Sequence, residues 1–153
     1  MHASAVAARC ALSLFVGLAA GCAGKGSPED EVRAAIGAAE AAAEARDASA
    51  LLDLVADDYQ DSRGNGAEEI RRYVRGYLVA HQSIALLTRI DSIKLPATDL
   101  ARVRATVGMV GKEAEAAGAW DLAADLYEFD VTLAREDGEW RVTRADWGRA
   151  IGD

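Results

Sequence analysis

The stretch Asp125–Trp147 reads DLYEFDVTLAREDGEWRVTRADW, and its pattern decides the fold. Tyr127, Phe129, Val131 and Leu133 alternate with Glu128, Asp130 and Thr132, the period-2 signature of a strand with one dry face. Asp137-Gly138 then supplies the positive φ angles of a type I′ turn, whose twist matches the strands on either side. Trp140, Val142 and Thr143 carry a returning strand. The stretch therefore predicts a β-hairpin, with the rest of the chain packed around it.

A two-residue turn also sets register. With Asp137 and Gly138 central, Leu133 lies opposite Val142, Val131 opposite Arg144 and Phe129 opposite Asp146. A cation and a carboxylate would then share an apolar face, where they need each other or a wet cavity. A bulge after Val142 gives a second register, which turns Arg144 and Asp146 outward and brings Ala145 and Trp147 in. The sequence leaves both open.

At the other end of the chain, residues 1–21 read as an export signal. Arg9 precedes the apolar run Cys10–Ala20, CALSLFVGLAA, which is too short to span a bilayer that needs roughly 20 residues. The segment closes on Leu18-Ala19-Ala20-Gly21-Cys22, which resembles the bacterial lipobox, although Leu18 stands one place early and Ala19 occupies the usual leucine position. That resemblance implies cleavage before Cys22 and acylation of its thiol, with residues 22–27 as a lipidated tether. An ordinary secreted protein with a free Cys22 is the alternative. Two or more acyl chains hold a protein to a membrane without a spanning helix. Ala23, in place of an aspartate, favours the periplasmic side of the outer membrane if the cell is Gram-negative.

Removing residues 1–21 takes away one arginine and leaves 132 residues, with 16 basic against 25 acidic side chains, net −9. One domain with a real core fits that length. Cys22 is then the only cysteine, so neither an internal disulfide nor a cysteine metal site is available. The acidic surface repels phosphate backbones, and nucleic acid is not an expected partner.

Ser27-Pro28-Glu29-Asp30 announces a helix over 28–46 with Val32, Ile36 and Ala39 on its buried stripe. Asp47 caps a shorter helix carrying Leu51, Leu52, Leu54 and Val55. A short strand is expected around Tyr59, then a polar turn at 62–66. A third helix over 67–81 sets Ile70, Tyr73, Val74, Tyr77, Leu78 and His81 on one face, with Glu68 and Arg72 as a solvated pair. Ile84–Leu95 reads as a strand stopped by Pro96. A further strand alternates Ala101, Val103, Ala105, Val107 and Met109 with Arg102, Arg104 and Thr106. Residues 111–125 read as an acidic connector containing Trp120. Helices before an antiparallel sheet make the fold class α+β.

In that order the chain resembles the nuclear transport factor 2-like superfamily, which includes SnoaL-like proteins and ketosteroid isomerase. The residues that carry the likeness are Arg46-Asp47-Ala48, Leu54-Val55-Ala56-Asp57-Asp58-Tyr59, Gly66 before Glu69-Ile70-Arg71, and Asp137-Gly138-Glu139-Trp140-Arg141-Val142. The resemblance covers 28–149 and implies a curved sheet wrapped around the helices, a cone with an internal pocket. The family's isomerases use a carboxylate base after the Ala-Asp-Asp turn, with an oxyanion hole of a first-helix tyrosine and a protonated aspartic acid. Here a gapless count from Ala56 puts Arg63 at the base position, only a deletion would bring Asp61 there, and the first helix contains no tyrosine.

His81 is the only histidine after residue 21, so a histidine-rich metal site is excluded, and a helix-end role suits it. Asp57, Asp58 and Asp61 could hold a hard cation, but more simply end a helix and solvate a turn. Candidate pocket-lining residues are Tyr59, Tyr77, Phe129, Arg144 and Asp146. No cofactor is implied. The sequence thus favours a membrane-anchored envelope lipoprotein whose non-catalytic domain binds a small ligand or an envelope protein, with a homodimer compatible. The alternative is a small SnoaL-like enzyme using Asp61 or Asp146 as a pocket carboxylate.

Overall fold

The computed structural model describes residues 26–109 and 125–150. The export signal, Cys22 and the connector with Trp120 lie outside them. Three helices, α1 (Pro28–Glu44), α2 (Ala48–Asp53) and α3 (Ala67–Ala80), precede four strands, β1 (Leu86–Ala97), β2 (Leu100–Met109), β3 (Asp125–Glu136) and β4 (Glu139–Arg149). The strands form one antiparallel, curved and unclosed sheet in the order β1-β2-β3-β4. The fold is α+β, as the order of elements predicts.

The helix signals act locally as read. Ser27 accepts from the Asp30 N–H while the Asp30 carboxylate accepts from Ser27, a reciprocal capping box with Pro28 behind it. The α1 helix stops two residues short of the expected end, and Arg46 takes a positive φ of 57° to turn the chain. Its guanidinium donates to the Leu78 carbonyl on α3 at 2.9 Å. The Asp47 carboxylate caps α2 by accepting from the Ala50 N–H at 3.0 Å.

The concave face is closed by α1. Val32, with Ala35 and Ile36, packs on Ala101, Val103, Ala105, Leu133 and Trp140. Three alternate β2 positions are alanine, valine and alanine, so the helix can approach closely, and burial of Val32, Val103 and Leu133 is complete to within 1%. Each fully buried aliphatic side chain contributes about 1.5–3 kcal/mol. Arg135 adds a polar tie, pairing with Glu31 of α1 and lying 4.8 Å over the Trp140 ring.

The hairpin turn is as expected, with φ of 49° at Asp137 and 86° at Gly138. Of the two registers, the bulged one obtains. Leu133 faces Val142, but Val131 faces Ala145 and Phe129 faces Trp147, with the shift between Thr132 and Leu133. Arg144 then lies opposite Thr132, and Asp146 opposite Asp130. The bulge has a visible partner: Val142 exchanges backbone hydrogen bonds with Leu54 and Ala56, and Thr143 accepts from the Gln60 N–H. This segment covers the free edge of β4 with isolated bridges, so the strand expected around Tyr59 is not a ladder strand.

The β1 strand also departs from expectation, running through Pro96 to Ala97. It is an edge strand with a pairing irregularity between Lys94 and Ala97, a position where a missing N–H costs no ladder bond. On α3, Glu68 lies near Arg71 at 3.5 Å and Arg72 near Glu69 at 3.6 Å, so the expected Glu68–Arg72 pair is replaced by two i,i+3 contacts.

Candidate functional site

Beyond the sealed part of the concave face, α3 crosses β3 and β4 and brings rings instead of aliphatic side chains. Tyr73, Tyr77 and His81 recur at i,i+4 and so share one helix face. Tyr73 lies 5.8 Å from Trp147 of β4, and Trp147 lies 6.1 Å from Phe129 of β3. Tyr77 lies 6.3 Å from Tyr73 and stacks on His81 at 4.0 Å. The result is one continuous aromatic run, and Tyr73 remains 54% exposed within it. Burial raises the Tyr77 hydroxyl pKa above its ordinary value, with Tyr73 as a further cause.

At one rim, Arg63 lies 4.6 Å over the Trp147 ring and donates to the Trp147 carbonyl at 2.8 Å. Two carboxylates position Arg63's loop. Buried Asp61 accepts from the Arg63 and Asn65 N–H groups and from the Asn65 amide. Those hydrogen bonds, the Asn65 amide first, lower its pKa below the ordinary carboxylate value. Asp146 accepts from the Ser62 hydroxyl at 2.5 Å and N–H at 2.9 Å, and these lower its pKa too.

The residues singled out from sequence therefore divide. Tyr77 and Phe129 stand in the aromatic run. Tyr59 does not: it is 3% exposed inside the cluster with Ala67 and Ile70, and its hydroxyl donates to the Ala145 carbonyl at 3.1 Å. Burial, with Asp61 nearby, pushes that hydroxyl up to about 12. Arg144 and Asp146 do not line the concave face, because the bulge turns them outward; they form a partly exposed pair at 2.8 Å. Asp61 and Asp146 thus both have structural work in the 61–66 loop. Tyr73 joins the site from the α3 face it shares with Tyr77, and Trp147 joins it because the structure adopts the register that brings it inward. The i,i+4 spacing of Tyr73 with Tyr77 was visible; the turning of Trp147 inward depended on the bulge.

A separate cleft of about 730 Å³ lies outside the cone between α2, α3 and the hairpin turn, walled by Asp53, Asp57, Arg71, Arg75, Asp137 and Arg141. Arg71 is held there by the Val55 carbonyl and Asp57, and Arg141 by the Asp53 carbonyl and Glu139. Its charges mostly neutralise one another. No group of three metal-ligating side chains occurs among the described residues.

No protein-family model matches the chain, and no curated protein sequence matches it. Solved structures do. A candidate scytalone dehydratase of Novosphingobium aromaticivorans superposes with a TM-score of 0.66 at 12% identity, over 80% of this chain and 84% of that one. A candidate dehydratase of the NTF2-like family from Streptomyces avermitilis gives 0.65 at 16% identity, over 80% and 96%. An NTF2-like protein of unknown function from Shewanella oneidensis gives 0.59 at 16% identity, over 78% and 98%. The chain has a nuclear transport factor 2-like fold. Identities this low speak for the fold alone.

Proposed function

We propose that the protein is a lipid-anchored envelope protein whose nuclear transport factor 2-like domain is a non-catalytic binding module for a small, flat, apolar ligand. The carrying observation is the aromatic run Tyr73–Trp147–Phe129, left partly exposed where the rest of the concave face is sealed. Aromatic faces offer area and offset stacking without needing charge from the ligand. The non-catalytic reading is supported by the two carboxylates proposed for catalysis, Asp61 and Asp146, both engaged in holding the 61–66 loop. A general base must reach a substrate proton from a shared cavity. Attachment through Cys22 is supported by Gly21-Cys22 following a short apolar run.

Native mass spectrometry of the purified protein tests the binding role. A co-purified small molecule that is lost in Trp147→Ala supports it. Ligand-free protein, together with no Trp fluorescence response to a panel of aromatic compounds, overturns it. Cys22→Ser should abolish acyl labelling and release the protein from membranes; retention under conditions that strip peripheral proteins rejects the anchor.

A further inference from the structure

The convex face of the sheet is charged, and its charges are almost all paired. Arg104 meets Asp130 at 3.2 Å, Arg144 meets Asp146 at 2.8 Å, and Arg89 meets Asp91 at 2.8 Å beside the buried Thr106 hydroxyl. Besides Glu128 on β3, two cations stand outside these pairs. Lys94 and Arg102 are exposed, lie in direct register across β1 and β2, and have no carboxylate partner among the described residues. Like charges directly opposite each other destabilise a sheet. The chain is acid-rich, with 25 acidic against 17 basic side chains, yet none of the acids among the described residues compensates this pair.

The neighbours sharpen the picture. Continuing the same row, Arg102 faces Thr132 on β3, and Thr132 faces Arg144 on β4. On the same face, the next row towards the hairpin turn holds Leu100 and Ala134, neither of them an acid. The row on the other side holds Ser92, Arg104, Asp130 and Asp146, whose carboxylates are engaged by Arg104 and by Ser62 and Arg144. Strands lie about 4.8 Å apart, so Lys94, Arg102 and Thr132 present an ammonium, a guanidinium fork and a hydroxyl within about 10 Å. We propose that this row is a binding site for a phosphate group, either free or carried on a lipid headgroup. A phosphate monoester has three terminal oxygens and nearly two negative charges, enough to engage all three donors at once. A carboxylate carries a single charge and so balances only one of the two cations. The charge also matters because the protein as a whole is at −8 and repels anions.

The test is an amide NMR titration of the protein with inorganic phosphate, ionic strength being held constant with chloride. Resonances of Lys94, Arg102 and Thr132 should move saturably, and those around the distant Arg75 of α3 should not. Lys94→Gln and Arg102→Gln should each remove the saturable shift without lowering the thermal melt, since each relieves a like-charge contact. Binding should weaken as pH falls and the phosphate dianion takes up a proton. Co-sedimentation with phosphatidic acid vesicles, whose headgroup is a phosphate monoester, but not phosphatidylcholine vesicles, lost in Arg102→Gln, assigns the phosphate to a headgroup; its absence beside a saturable phosphate shift assigns a free phosphate. Shifts that are linear, or equal with chloride, or displaced by an oligoglutamate peptide at the same concentration overturn the proposal.

Discussion

Two parts of one concave face are built from different materials. Around Leu133, aliphatic and alanine side chains of β2 and β3 meet Val32 and Ile36 of α1, and the contact closes. Around Trp147, α3 and its C-cap supply Tyr73, Tyr77 and His81 as a chain of rings, of which Tyr73 meets Trp147 and Trp147 in turn meets Phe129. Branched and small side chains interdigitate to crystal-like density. Rings at 5.8–6.3 Å, tilted or offset, leave faces and edges uncovered. Stability is concentrated at the first region, while the second keeps surface available for a ligand.

The largest effect should fall on the sealed region. Leu133→Ala removes a side chain that is 1% exposed and should cost about 2–5 kcal/mol in urea unfolding. Trp147→Ala removes more atoms, yet they are only partly buried, so its cost should be the smaller of the two. Equal costs would erase the distinction between the regions. A smaller loss is expected at the turn that aligns both. Gly138 has φ of 86° with nothing within 4 Å of a built Cβ, so Gly138→Val carries a backbone cost alone, about 1–2 kcal/mol.

A third prediction separates the regions by pH. Asp61 and Asp146 hold the loop beside Trp147, and both have folded pKa values below their ordinary ones, Asp61 chiefly through Asn65 and Asp146 through Ser62. Their contribution is therefore present above the unfolded carboxylate pKa of about 4 and is lost as pH falls through the folded value. Glu40, on α1, runs the other way: burial, then Glu44, raises its pKa, so its contribution is present at low pH and lost as pH rises. Amide hydrogen exchange should show the 61–66 loop opening first on acidification. An Asp146→Asn variant should show a shallower acid dependence there. If its acid dependence matches the parent's, Asp146 does not hold the loop.

The sequence was legible wherever one local signal decided the outcome. Ser27-Pro28 capped a helix, Asp137-Gly138 made the turn, and the Ala101-Val103-Ala105 alternation became the buried face. It was illegible where distant segments decided. The bulge at Val142–Thr143 is held by Leu54, Ala56 and Gln60, more than 80 residues earlier, and no pattern within the hairpin reports that contact. Tyr59 carried the aromatic signal of a pocket residue, but the Ala145 carbonyl claims its hydroxyl and fixes it in the core. The candidate site suffered most: that one extra residue decided which faces Arg144, Asp146 and Trp147 occupy, while Asp61 is taken up by Asn65 within its own loop.

The smallest expected effect tests the bulge itself. In the plain register Arg144 would lie on the concave face as the partner of Asp146, and removing one member of a buried pair costs roughly 3–5 kcal/mol. In the bulged register its side chain is 47% exposed, and Asp146 keeps both Ser62 hydrogen bonds when the arginine goes. Exposed pairs are screened by water and typically contribute under about 1 kcal/mol. Arg144→Ala should therefore shift stability by no more than about 0.5 kcal/mol, the range of ordinary surface changes. Urea unfolding at neutral pH reads this directly. A loss in the range of a broken buried pair would mean that Arg144 and Asp146 face inward after all, and Trp147 would then lose its place opposite Phe129 in the aromatic run.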